Sequence, residues 1–242
     1  MTDRITPETN DTDIEAKLGH AEIFAGLTPD EDRAWSKQCT IAKFAAGAVL
    51  GDYGKCPETV FIVQSGHLRA TMRVGSGKEL FLDTAGPGAT AAEIVAIHPW
   101  NYDVCLMATT DSVVVLMPIP VFQRLIAENH HVCTALLSVL TKRLQVLHAR
   151  LCELSYLDVR HRLYTTLLRL SEPLCPDKPR ERWIAPPVIH SALAEHIGAR
   201  RETVSREMSR LTQDGVIERD RKAILIRQPH ELLRRLSQIT GD

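Results

Sequence analysis

The spacing of apolar residues along the chain changes twice, and each regime predicts a different kind of element. From about Cys39 to Leu116 the apolar runs are short and rich in β-branched residues: Thr59–Val63, Leu68–Val74, Glu79–Leu82 and Ser112–Leu116. Glycines at 47, 51, 54, 66, 75, 77, 86 and 88 punctuate them. Strands of that length between glycine turns predict a small antiparallel barrel or roll, whose mouth can hold one small ligand. Upstream, residues 1–20 read as a loose tail that becomes helical near Ile14–Leu18. Thr28-Pro29-Asp30-Glu31-Asp32 then reads as a helix start, with Thr28 as cap, Pro29 in the first turn and acids at the positive end of the dipole.

Beyond the roll the period lengthens, and one helix is predicted from about Pro120 to Leu157. Along it Cys133, Leu137, Leu140, Leu144, Leu147, Leu151 and Leu154 follow at intervals of 4, 3, 4, 3, 4 and 3. A seam that keeps this rhythm for three heptads is the pattern of a helix pairing with another helix. Packing against the chain's own roll is the alternative, but it needs a wider stripe. Lys142, Arg143, Gln145, His148, Arg150 and Glu153 fill the positions off the seam. A parallel homodimer is therefore expected.

The last third predicts an amphipathic helix over Asp158–Leu170, an exposed proline-rich connection over Ser171–Arg182, and then two short helices about Gly198. Leu193 and Ile197 on the first helix, and Val204, Met208 and Leu211 on the second, are spaced to bury one face of each. The opposite face of the second helix presents Arg201, Glu202, Ser205 and Arg206. Arginine can bind guanine bidentately, glutamate can accept from the cytosine amino group, and serine adds a short adaptable contact. These four residues are the expected base readers, with Arg200, Thr203, Arg210 and Lys222 as phosphate contacts. Gly215–Ile226 reads as a two-stranded wing turning at Asp220-Arg221-Lys222.

Charge sharpens this division. The net charge is −1, yet residues 1–159 carry 13 Lys and Arg against 19 Asp and Glu, while residues 160–242 carry 16 against 11. An acidic front and a basic back direct only the back toward phosphate. The six cysteines (Cys39, Cys56, Cys105, Cys133, Cys152, Cys175) include no close pair of the kind zinc or iron–sulfur ligation needs, and are expected to be reduced and buried. With no secretory signal and no apolar run long enough to span a bilayer, a cytoplasmic location is expected.

The order of roll, long helix and winged helix-turn-helix resembles the Crp/Fnr family of bacterial transcription regulators. Three local matches carry the likeness: Arg143-Leu-Gln-Val146 through Leu157-Asp-Val159 to Arg162, the turns at Gly66, Gly77-Lys-Glu79, Gly86 and Gly88, and Arg201-Glu-Thr-Val-Ser-Arg206. The resemblance implies an α+β chain: a tail (1–20), a sensory β-roll (21–119), a dimerisation helix (120–157) and a winged helix-turn-helix (158–242). It also implies a homodimer on double-stranded DNA, an inverted repeat with half-sites like TGTGA or TTGAY, contacts to RNA polymerase, no membrane partner and no catalysis.

Arg200 departs from the family, which often caps this helix with Ser or Thr. The effector pocket departs further. The positions corresponding to a cyclic-nucleotide site are Glu93, Asp103, Val104, Leu147 and His148, with Trp100 and Tyr102 in a loop able to stack on a planar ligand. Asp103 stands where the cyclic-AMP-binding members carry the phosphate-neutralising Arg, and no Arg or Lys lies between Glu79 and Arg124. Cyclic AMP is therefore not expected as effector. Haem held by His20, His67, His98 or His148, a cyclic dinucleotide, or no effector at all stay open, as does a sensor acting through protein contacts.

Overall fold

The computed structural model describes residues 8–9, 18–75, 77–98, 103–175, 178–185, 187–220 and 222–237. It divides into two compact units, residues 1–144 and 145–242. In chain order the first unit holds β1 (Glu8–Thr9), α1 (Pro29–Ser36), β2 (Thr40–Phe44), β3 (Val49–Gly51), β4 (Thr59–Ser65), β5 (Leu68–Val74), β6 (Lys78–Ala85), β7 (Thr90–Ala91), α2 (Glu93–Ile97), β8 (Val104–Ala108), β9 (Ser112–Pro118) and α3 (Ile119–Glu128). The division falls inside α4 (His130–Tyr156). The second unit continues with α5 (Val159–Leu170), β10 (Glu172–Cys175), β11 (Lys178–Ile184), α6 (His190–Ile197), α7 (Arg201–Gln213), β12 (Ile217–Arg219), β13 (Ile224–Ile226) and α8 (Pro229–Ser237).

The roll consists of two antiparallel sheets, ordered β1-β2-β9-β4-β7 and β3-β8-β5-β6. β4 explains why its sequence is a continuous apolar run. Successive strand side chains point to opposite faces, and here both faces are covered. Val60 and Ile62 join a core with Phe24, Met117, Phe122, Leu125, Val132 and Leu136, while Phe61 and Val63 join Phe44, Leu68, Leu106 and Val114. Gly66, at φ +82°, turns the chain where an added Cβ would lie 2.5 Å from the Asp111 carbonyl oxygen. The helix start at Thr28 forms with a reciprocal capping box: the Thr28 hydroxyl accepts from the Glu31 N–H, and the Glu31 carboxylate accepts from the Thr28 N–H.

Three sequence expectations are corrected. The helix predicted over Pro120–Leu157 is two helices, because Asn129 leaves helical geometry (φ −118°, ψ 103°) and its Oδ1 accepts from the Val132 N–H at 3.1 Å. That bond is the one an N-cap residue makes, and asparagine is among the best at it. Part of the tail is ordered. Glu8 and Thr9 pair with Lys43 and Ala42, and the buried Leu18 donates its N–H to Asp32 at 3.0 Å. Finally, the proline-rich connection after α5 is a β-hairpin, β10–β11, that extends the wing into a four-stranded sheet ordered β10-β11-β13-β12. Pro173 is tolerated because β10 is an edge strand, where a missing N–H removes no interior ladder bond.

The second unit has one core. Leu163, Leu167, Ile184, Leu193, Ile197, Val204, Met208, Leu211, Ile217, Ile224, Ile226 and Leu232 are all buried in it. Asp158 caps α5 by accepting from the His161 N–H at 3.0 Å.

Candidate nucleic-acid interface and a buried acidic site

α6 ends at Gly198 in the left-handed region (φ 62°, ψ 45°), and the Ala199 N–H closes the turn on the Ala194 carbonyl at 2.9 Å. Glycine reaches this conformation without the Cβ penalty, so the next helix starts within three residues. Arg200 occupies the N-cap position of α7 and makes no side-chain cap bond. Val204, Met208 and Leu211 anchor α7 in the core, so rotation about its axis is fixed and the other face is set outward. On that face Arg201, Glu202, Arg206 and Arg210 are exposed, and Thr203 and Ser205 are half-buried. The expected base readers therefore share one presented surface.

The wing tip closes with the Asp220 N–H donating to the Ala223 carbonyl at 2.9 Å, and Lys222 is exposed beside it. Arg221 lies outside the described residues. Arg227 clamps the sheet below, reaching Glu218 at 2.7 Å and Glu181 at 3.0 Å. Arg219 of β12 donates to His190 at the start of α6 at 2.8 Å. Burial first, then the neighbouring Arg219 and Arg201, hold the His190 pKa below its ordinary value, which favours the neutral acceptor form.

Sequence reasoning missed Glu207. It lies on α7 between two core residues and is buried with them. Its carboxylate accepts from the Tyr164 hydroxyl on α5 and faces Arg160 at 3.6 Å. Burial, then the hydrogen bond to Glu207, push the Tyr164 pKa up. The signal was available: Glu207 falls three residues after Val204, on the apolar stripe, where an acid has to find partners.

The roll holds its own carboxylate. Glu93 opens α2 and is only 1% exposed. The residue before it, Ala92, sits at φ 67°, a left-handed conformation that costs an L-alanine about 1–2 kcal/mol. Arg143 of α4 pairs with Glu93 and also donates to the Thr90 carbonyl at 2.9 Å. Burial raises the Glu93 pKa despite the pull of Arg143, and among the described residues Glu93 Oε2 is buried with no hydrogen-bond partner. The stretch between residues 79 and 124 carries no Arg or Lys, and the cation that meets Glu93 arrives from fifty residues further along the chain.

The other pocket positions are less concentrated. Val104 is buried at the start of β8 and Asp103 is exposed just before it. Leu147 and His148 are exposed on α4, and Trp100 and Tyr102 lie outside the described residues. His20, His67 and His98 are exposed. The expectation of buried cysteines is also corrected, because Cys56 and Cys152 are exposed, while Cys39, Cys105 and Cys133 are half-buried. Cys56 belongs to a surface loop, and Cys152 points off the leucine seam. Burial pushes the Cys39 thiol up to about 12.

The seam of α4 is uncovered in the single chain. Leu137, Leu144, Leu147, Leu151 and Leu154 are each more than half exposed, while Leu140 is half-buried against the first unit's core. No described helix is long and apolar enough to cross a membrane.

Comparison with known proteins separates the same two regions. Residues 41–129 match the cyclic nucleotide-binding domain, and residues 161–235 match the Crp-like helix-turn-helix domain. The CRP-like cAMP-activated global transcriptional regulator of Mycobacterium tuberculosis is 26% identical over 218 residues, covering 90% of this chain and 97% of that protein. Among solved structures, a CooA mutant from Carboxydothermus hydrogenoformans superposes with a TM-score of 0.75 at 18% identity, covering 92% of this chain and 98% of that one. The c-di-GMP-responsive global regulator CLP of Xanthomonas campestris gives 0.67 at 22% identity, covering 78% and 95%. These two likenesses establish the fold.

Proposed function

This chain belongs to the Crp/Fnr family of bacterial transcription regulators, and we propose that it acts as a homodimer reading an inverted repeat with TGTGA- or TTGAY-like half-sites. The observation that carries this reading is the single outward face of α7, on which Arg201, Glu202, Ser205 and Arg206 stand together above a buried apolar anchor. The exposed leucine seam of α4 supplies a second support, since a parallel pair would bury it and set two recognition helices about one duplex turn apart. Arg200, Thr203, Arg210 and Lys222 would meet phosphates, and RNA polymerase would be a further partner. The protein would work in the cytoplasm.

Cyclic AMP is not the effector in this reading. The relative from M. tuberculosis is named as cAMP-activated, but here Asp103 takes the place of the family's phosphate-binding Arg, and the guanidinium that does reach Glu93 is already paired with it. Glu93, Trp100, Asp103, Val104, Leu147 and His148 remain the proposed effector contacts.

Selection from random duplexes by the full-length protein tests the function. A palindrome with the stated half-sites should emerge, with its affinity unchanged by cAMP. Arg206→Ala or Glu202→Ala should then lose about 1–3 kcal/mol per half-site contact and relax base preference at one position. Selection of no common sequence, or unchanged binding by Arg206→Ala in a gel shift, defeats the reading.

A further inference from the structure

A cleft of about 290 Å³ opens between the first turn of α5 and one flank of α7, lined by Val159, Arg160, Leu163, Thr203, Val204, Arg206, Glu207 and Arg210. Three guanidinium groups and one carboxylate surround it. The carboxylate, Glu207, is committed inward, to the Tyr164 hydroxyl and to Arg160. Arg160 remains 57% exposed on the cleft's α5 side, and among the described residues Arg206 and Arg210 have no ion-pair partner. Thr203, Arg206 and Arg210 follow at helical spacing along the same flank of α7. The cleft is therefore a cationic seat adjoining the base-reading face, with an apolar floor of Val159, Leu163 and Val204.

A helix lying in a major groove about 12 Å wide has base edges ahead of it and a phosphate wall along each flank. We propose that this cleft seats a phosphodiester of the DNA backbone, with Arg160 as a phosphate contact contributed by α5 and Glu207 as the positioning residue that holds its guanidinium toward the cleft. The assignment rests on the DNA-reading function and adds to it a residue outside the helix-turn-helix. It also gives the buried Glu207 a role: one carboxylate fixes α7 against α5 through Tyr164 while orienting a cation that α7 does not carry. A contact to phosphate informs register, not sequence, so Arg160 should raise affinity for every duplex alike.

The test compares wild type, Arg160→Ala, Glu207→Gln and the double variant, all full-length, on the selected palindrome and on unrelated duplex over a salt series. Arg160→Ala should weaken both duplexes by a similar factor, about threefold to tenfold per protomer, and lower the slope of log K against log salt by about 1 per protomer. Base preference should stay as in wild type. Glu207→Gln keeps an acceptor for Tyr164 but loses the charge facing Arg160. It should weaken binding less, and add nothing in the Arg160→Ala background, because the two act through one contact. Thermal melts of each variant report whether the fold is kept. A well-folded Arg160→Ala protein with an unchanged salt slope overturns the site while leaving DNA reading intact, as does additivity of the two substitutions. A wild-type protein that binds no duplex overturns the function and the site together.

Discussion

α7 keeps Arg201, Glu202 and Arg206 in water, whereas the roll takes Glu93 almost entirely out of it. The two arrangements have different costs. An exposed charge keeps its hydration until DNA arrives, so the recognition helix can carry several charges with little loss of stability. A buried carboxylate loses hydration on folding and has to be compensated by a partner brought by the fold. Here that partner is Arg143, held also by the Thr90 carbonyl. The reading surface is consequently built from neighbours in sequence, and the buried site from residues fifty apart. Glu207 combines both solutions, because it lies on the recognition helix but is compensated from α5.

The comparison can be broken most sharply at the α4 seam, which belongs to neither arrangement until it is covered. Leu147→Lys with Leu151→Lys would place two charges in a paired apolar interface. Self-association measured by sedimentation should weaken by roughly 3–5 kcal/mol while the monomer stays folded. A species whose mass is unchanged would remove the helix pairing from the proposal.

A smaller effect is expected inside the roll. Glu93→Ala leaves Arg143 without its partner and should destabilise the roll by roughly 2–3 kcal/mol, below the usual range for a fully buried pair because Arg143 is 31% exposed. Its pH behaviour sharpens the contrast with the surface charges. The Glu93 pKa is raised above its ordinary value of 4.5, so the folded state holds that proton more tightly than the unfolded chain. The resulting stabilisation is full below 4.5 and is lost as pH rises through the folded value. Glu93→Gln should flatten this part of the pH–stability curve in denaturant titrations; a curve parallel to wild type would place the carboxyl in a different environment.

The smallest change is a gain. Ala92 holds a left-handed backbone that glycine adopts freely, so Ala92→Gly should stabilise the roll by about 1 kcal/mol in thermal unfolding. A loss instead would mean that the alanine methyl group contributes packing worth more than the strain.

These differences also explain what could be read from the chain. The strands of the roll, the turn at Gly198, the wing and the outward set Arg201, Glu202, Ser205 and Arg206 follow from periods of two and 3.6 and from glycine chemistry, all of which act over a few residues. The Arg143–Glu93 pair depends on α4 returning across the roll, and no local spacing encodes that approach. The β10–β11 hairpin was hidden by its prolines and charges, because β11 becomes an interior strand only by meeting β13, forty residues on, and β10 then pairs along its other side. Asn129 was legible in principle, being a strong cap residue inside an otherwise continuous apolar rhythm, but the rhythm resumes on its far side and masks the break.

The hairpin has a mechanical consequence for recognition. With β11 on one side of β13 and β12 on the other, and Arg227 bridging to Glu181 and Glu218, the wing is the end of a braced plate rather than a loose ribbon. In the proposed complex Lys222 would thereby be delivered at a set height beside the groove. Such bracing would leave little backbone motion for binding to freeze, so the proposed phosphate contact of that lysine would carry little entropic loss from the wing.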